Sequence, residues 1–216
     1  MRLVLLGPPG AGKGTQAKGL ARELQLAHIS TGDLLRQNVA QSTALGLEAK
    51  DYMNKGLLVP DSLVTKMLED RFGRPDLKNG FILDGYPRTI NQAKTLDAIL
   101  AARSIKLDVV FDLDSSEPVI VQRLSGRLVC RKCGALFHKT NMPPKVADVC
   151  DQCAGELYQR DDDKEETIKK RLAVYRGEVA ALLEYYRNAG LLVTVPADED
   201  AAIVLKKIID KAKNFK

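Results

Sequence analysis

"RLVLLGPPGAGKGT" runs from Arg2 to Thr15 and carries three signals in succession. Arg2 to Gly7 is a short apolar run that stops at glycine, as a buried parallel strand does. Gly7 through Gly12 and Lys13 match G-x-x-x-x-G-K. Glycines there let consecutive backbone N–H groups turn inward around phosphate oxygens, and the lysine adds a mobile positive charge. Gly14 follows the lysine, so the hydroxyl of Thr15 comes one position later than in the simplest pattern. "GTQAKGLARELQL" then has helical spacing. A glycine string alone arises by chance in flexible loops, but one that follows a strand and opens a helix reads as a phosphate-binding loop.

Outward from this stretch, short buried runs alternate with helical patterns. His28–Ser30 reads as a second strand, and Thr31 is placed to cap a helix through "GDLLRQNVA", with Asp33 favouring its N-terminal dipole. "LGLEAKDYMNKG" and "PDSLVTKMLEDRFG" read as two helices, each ending at glycine and the second opening at Pro60. Gly80–Gly85 and Leu107–Asp114 read as strands flanking the helix "TINQAKTLDAILAAR". A long helix is predicted from about Glu165 to Ala189, then a fifth strand at Leu191–Val195 and a final amphipathic helix. This order predicts a three-layer α/β domain with a parallel sheet, whose ligands bind beyond the carboxyl ends of the strands. Gly7, Asp84 and Asp112–Asp114 fall there.

With 216 residues, 45% hydrophobic and 28% charged, the chain suits one well-buried core with a small insert. The net charge of +5, from 33 basic and 28 acidic residues, suits an anionic ligand such as a nucleotide phosphate. The charges are interleaved, aromatic content is 5% and Trp is absent, which argues against a nucleic-acid surface. No secretory leader is expected and no apolar run approaches the roughly 20 residues that span a membrane, so a cytoplasmic protein is expected.

All four cysteines fall in "CRKCGALFHKTNMPPKVADVCDQC", Cys130 to Cys153. Cys130, Cys133, Cys150 and Cys153 form two C-x-x-C pairs with the spacing of a tetrahedral zinc site. Four thiolates fill the shell and leave no position for water, so the metal is structural, and the spacing leaves zinc and iron both open. His138 reads as a hydrogen-bonding or surface residue rather than a ligand. A zinc ribbon for nucleic acid is the rival reading, supported by Arg131, Lys132, Lys139 and Lys145. The flanks oppose it: Arg127 precedes the first cysteine and Arg160 follows the last.

"GPPGAGKGT", "STGDLLR", "GLLVPD", "ILDGYPRTINQA", "GR" before the cysteines and "RDDD" after them resemble, in order over nearly the whole chain, the adenylate kinase family in its long-lid bacterial form. The resemblance implies a P-loop kinase: a five-stranded parallel sheet, a helical AMP-binding insert and a small zinc-binding lid. It divides the chain into a CORE (1–29, 60–126 and 164–216), an AMP-binding domain (30–59) and a LID (127–163). It implies a monomer that reversibly converts ATP and AMP into two ADP with Mg²⁺, without nucleic-acid or membrane partners.

The same resemblance distributes the site residues. Gly10, Ala11, Gly12, Lys13, Gly14 and Thr15 hold the ATP phosphates. Arg123 and Arg127, on the helix leading into the insert, face ATP, and Leu136 and Phe137 lie against its base. Thr31, Leu57, Leu58 and Val59 form the adenosine pocket of AMP, and Arg36 and Arg88 hold its phosphate beside Gly85, Tyr86 and Pro87. Arg160 and Arg171 close over the transferring group. Asp84 orders Mg²⁺ through water or caps a turn, and Asp162 and Asp163 serve the closed state or cap the long helix. Gln92 pairs with adenine through its amide, or is an exposed helix residue. Glu199 departs from the glutamine that many relatives carry near this point, which puts any side-chain contact to the ATP base in doubt. Another nucleoside monophosphate kinase is the alternative, which Thr31 and Gln92 oppose.

Overall fold

A computed structural model describes residues 1–215; Lys216, the last residue of the expected CORE, lies outside them. Its elements are β1 (Arg2–Leu6), α1 (Lys13–Leu24), β2 (Ala27–Ser30), α2 (Thr31–Ala40), α3 (Ala44–Asn54) and α4 (Asp61–Phe72). They continue with β3 (Phe81–Asp84), α5 (Ile90–Ala101), β4 (Val109–Asp114), α6 (Glu117–Ser125), β5 (Arg127–Cys130), β6 (Leu136–His138) and β7 (Leu157–Tyr158). The chain closes with α7 (Glu165–Asn188), β8 (Leu192–Pro196) and α8 (Ala201–Ala212).

The main sheet runs β2-β3-β1-β4-β8 with every pair parallel, as the alternation predicts. Its central strands β3, β1 and β4 are buried on both faces, so their residues divide by period two between two cores. Val4, Leu6, Leu83 and Val110 pack on one side with Leu68 of α4, Leu96 of α5 and Tyr186 of α7. Leu3, Leu5, Ile82 and Phe111 pack on the other with Leu20 of α1 and Ile208 of α8. α2 and α3 form an arm that leaves the sheet after β2 and returns at α4.

The cysteine segment is a separate three-stranded antiparallel sheet, β6-β5-β7, with its own small core of Leu128, Phe137, Leu157 and the cysteines. Two local expectations are corrected. Ser30, not Thr31, caps α2, its Oγ accepting from Asp33 N–H at 3.3 Å, while Thr31 is the first helical residue. Arg127 does not lie on the helix before the insert: α6 stops at Ser125, and Arg127 opens β5, where it pairs with His138.

Candidate active site

The loop between β1 and α1 crosses the carboxyl end of the sheet. Gly7 has φ +135°, and a Cβ there would lie 2.7 Å from Leu113 O, so the loop can pass this close to β4 only with glycine. Gly12, at φ +92°, stands immediately before α1 and turns the loop into the helix. Lys13 Nζ reaches back to donate to Gly7 O (2.6 Å) and Pro8 O (2.8 Å). Its burial, reinforced by the charges of Arg88, Arg171 and Arg127, pulls the ammonium down to about 8 despite Asp84.

Every residue that the sequence assigns to nucleotide binding or phosphoryl transfer lines one cleft of about 570 Å³ between the loop, the α2–α3 arm and the cysteine unit. The charge there is conspicuous. Arg88 stands open to the cleft, with Nε donating to Gly85 O at 2.8 Å. Desolvation at the cleft floor and the neighbouring Arg171 hold its guanidinium down to about 10, still fully charged at neutral pH. Arg160 is likewise lowered to about 10 by burial, then by Arg36 and Arg127. Its Nε is buried without a partner, and its Nη2 lies 3.7 Å from Asp33. Arg36 pairs with the same Asp33 oxygen at 2.6 Å.

Two carboxylates restrain the arginines from behind. Asp163 is buried and takes both Nε and Nη2 of Arg127, while Asp162 Oδ2 pairs with Arg171 Nη1 at 2.9 Å. Burial alone would raise the Asp162 carboxyl, but Arg171, Arg36, Arg127 and Arg160 outweigh it and hold it below the usual range. Asp162 and Asp163 sit in a single 3₁₀ turn before α7 and make these contacts rather than a helix cap.

The other residues of the cleft are held as follows. Arg123 gives its guanidinium to main-chain carbonyls of the turn after β8: Nη1 to Ala197 O (2.8 Å), Nη2 to Asp198 O (3.2 Å) and Glu199 O (3.1 Å). Glu199 turns its carboxylate away to Lys207 of α8. Phe137 lines the cleft but spends most of its ring in the cysteine unit's core, whereas Leu136 is half-buried at the cleft wall. Leu57 is exposed, Leu58 half-buried and Val59 buried. Gln92 is not an exposed helix residue; it is buried, with both ends of its amide engaged. Thr31 is also buried, its hydroxyl donating to Gly85 O at 2.9 Å.

Asp84 ends β3 at the cleft floor, 8% exposed, with His28 Nε2 at 3.5 Å and an oxygen 3.4 Å from where a Cβ on Gly14 would lie. It makes no hydrogen bond of its own side chain to a cap, so its oxygens remain for hydrated Mg²⁺, and the residues fit that ion. Among the described residues, Cys130, Cys133, Cys150 and Cys153 are the group placed to hold a metal, with all four Sγ atoms within 4.8 Å of one another. Tetrahedral zinc with sulfur at about 2.3 Å separates its ligands by about 3.8 Å, so the cluster fits. His138 stands apart from it: Nδ1 accepts from Thr140 and Asn141 N–H, leaving Nε2 to donate to Gln122 O at 3.0 Å.

Sequence reasoning missed Lys18, whose Nζ donates to Gly134 O at 2.9 Å and ties α1 to the cysteine unit. It also missed Tyr175 and Glu178 of α7, which line the cleft; their helical spacing marks one face, but nothing local marks it as the cleft face.

A phosphate loop on a parallel sheet, facing a cleft crowded with arginines between two appended units, defines a P-loop nucleoside monophosphate kinase. The family model for adenylate kinase matches residues 5–191. The adenylate kinase of Methanocella arvoryzae is 54% identical over 200 residues, covering 93% of both chains. That of Caldicellulosiruptor saccharolyticus is 52% identical over 209 residues (97% of both), and that of Streptomyces coelicolor 50% over 214 residues (99% of both). The chain belongs to the adenylate kinase family, and its activity is the interconversion of adenine nucleotides. No helix among the described residues is long and apolar enough to cross a membrane.

Proposed function

We propose that the cleft binds ATP and AMP end to end, ATP between the loop at 7–15 and a LID of residues 127–163, AMP between the arm of residues 30–59 and β3. The observation that carries this reading is the cluster of buried like charges: burial lowers the proton affinity of Lys13, Arg88, Arg160 and Arg171, neighbouring guanidinium groups of Arg36, Arg88, Arg127 and Arg171 lower it further, and an anionic ligand relieves that repulsion. Lys13 and the loop N–H groups take the ATP phosphates, with Arg127 on the same side. Arg36 and Arg88 take the AMP phosphate. Arg160 and Arg171 serve the group in transit, and the unpartnered Arg160 Nε supports that role. The remaining segments, 1–29, 60–126 and 164–216, are the CORE that carries both sites.

The chemistry asks for position and charge. An oxygen of the AMP phosphate attacks the terminal phosphorus of ATP, a P–O bond forms, the bond to the ADP oxygen breaks, and no proton need move. Guanidinium groups held around the equatorial oxygens stabilise their charge and keep donor and acceptor in line. Asp84 would hold Mg²⁺ through water, and the bound ion would supply positive charge to the ATP phosphates. A LID that shuts over the cleft keeps water from competing with AMP, and adenylate kinase lids are a standard case of such closure. The four cysteines would hold zinc as a staple for a unit whose own core is small, and reduced thiols suit a cytoplasmic setting.

The test is a split of Michaelis constants. Arg88→Lys should raise KM for AMP and leave KM for ATP near its starting value, and Arg127→Lys should do the reverse. Equal effects on both constants from either variant would contradict the assignment of sides.

A further inference from the structure

We propose that Asp61 sets the preference for adenine over guanine at the acceptor site by holding the Gln92 amide in one orientation. The proposal rests on the reading of Gln92 as the contact to the AMP base. Gln92 is 3% exposed yet lines the cleft. Its main chain is fixed twice, N–H donating to Thr89 Oγ1 at 3.2 Å and the carbonyl accepting from the Tyr86 hydroxyl at 3.1 Å. Its side chain is fixed twice more: Arg88 N–H donates to Oε1 at 2.7 Å, and Nε2 donates to Asp61 Oδ1 at 2.6 Å.

The chemistry of the two partners dictates the orientation. A backbone N–H only donates and an ionised carboxylate only accepts. Turning the amide over would set N–H against N–H at Arg88 and oxygen against oxygen at Asp61. Asp61 itself is the first residue of α4, at the point where the arm rejoins the sheet domain, and it does not line the cleft. It therefore acts through Gln92 as a positioning residue.

A primary amide has two N–H donors and two lone pairs on its oxygen, so one of each is left for a ligand. Adenine offers its amino donor beside a ring-nitrogen acceptor on either edge, which complements that remaining pair. Guanine carries the O6 acceptor where adenine has the amino group, so the locked amide opposes oxygen to oxygen. An amide free to turn over would accept guanine's N1–H and donate to O6. The carboxylate of Asp61 removes that option.

Steady-state kinetics with AMP and GMP, at saturating ATP and Mg²⁺, test this with Asp61→Leu, Asp61→Asn and Gln92→Ala. Asp61→Leu should raise KM for AMP and lower the AMP-to-GMP ratio of kcat/KM, each by about tenfold. KM for ATP should hold. Asp61→Asn keeps an acceptor oxygen and should retain most of the preference. Both substitutions remove the same negative charge from the start of α4, so a merely structural role for Asp61 would make them alike. Should Asp61→Leu fail to fold, Asp61→Ala removes the acceptor with less crowding and carries the same expectation. A collapsed ratio in Gln92→Ala with an unchanged ratio in the folded Asp61 variant that lacks the acceptor overturns the role of Asp61 alone. An unchanged ratio in Gln92→Ala overturns the reading of Gln92, and the proposal with it.

Discussion

Arg127, where β5 begins, and Asp163, just before α7, are joined by two parallel hydrogen bonds, Nε to Oδ2 at 2.7 Å and Nη2 to Oδ1 at 2.5 Å. The two residues stand at the entry and exit of the cysteine unit, so this ion pair ties its two ends together. The Asp163 side chain is wholly buried and Arg127 is only 20% exposed, which makes the pair costly to break from one side.

Asp163→Asn should therefore loosen the LID. Leaving Arg127 without its carboxylate costs roughly 3 kcal/mol. Amide exchange at Leu128 to Cys130 should accelerate about a hundredfold, while exchange in β1 and β4 stays slow. KM for ATP should rise. Unchanged exchange in β5 would mean that the pair does not hold the unit in place.

The depressed Lys13 ammonium gives a pH dependence. Its pKa falls from the usual 10.5 to about 8 in the unliganded cleft, so the charge is present below pH 8 and is lost as pH rises through it. The kcat/KM for ATP, which reports the free enzyme, should decline by up to about tenfold per pH unit above 8. Bound phosphate restores the charge, so kcat should break at higher pH. Identical breaks in kcat and kcat/KM would contradict this.

Arg123 should matter to ATP through the turn it holds. Lysine at 123 cannot reproduce a planar fork serving three carbonyls. Arg123→Lys should raise KM for ATP by about tenfold, with KM for AMP unchanged. Glu199→Gln should have little effect, because the Glu199 side chain lies against Lys207 rather than facing the cleft turn's carbonyls. A large effect of Glu199→Gln paired with a small one of Arg123→Lys would reverse the assignment.

Metal analysis should give one zinc per chain. Cys130→Ser should lower the metal content and speed proteolysis within 127–163 more than it changes KM for AMP, because the four sulfurs touch no part of the AMP side. A chain with no metal and four freely titrating thiols in the native state would rule the site out.

What the sequence revealed follows from what is local. The strand, glycine loop and helix of residues 2–24 are consecutive, and φ-positive glycines leave a plain signature there. The cysteine pairs are equally plain because metal-ligand spacing is local. The β6-β5-β7 sheet was not legible, since strands as short as Leu157–Tyr158 exist only through pairing with Val129 and Cys130 far along the chain. Arg123 illustrates the same limit within the site: its carbonyl partners lie 74 to 76 residues away. Gln92 bonds to Asp61 and Asp163 to Arg127, partners that no window of sequence places side by side.

The most direct test of the account is the rate and stoichiometry of ADP formation from ATP across AMP, GMP, UMP and CMP with Mg²⁺ present. AMP should be by far the best acceptor, with two ADP formed for each AMP consumed. Equal turnover with GMP or UMP, or no ADP from AMP, would contradict it.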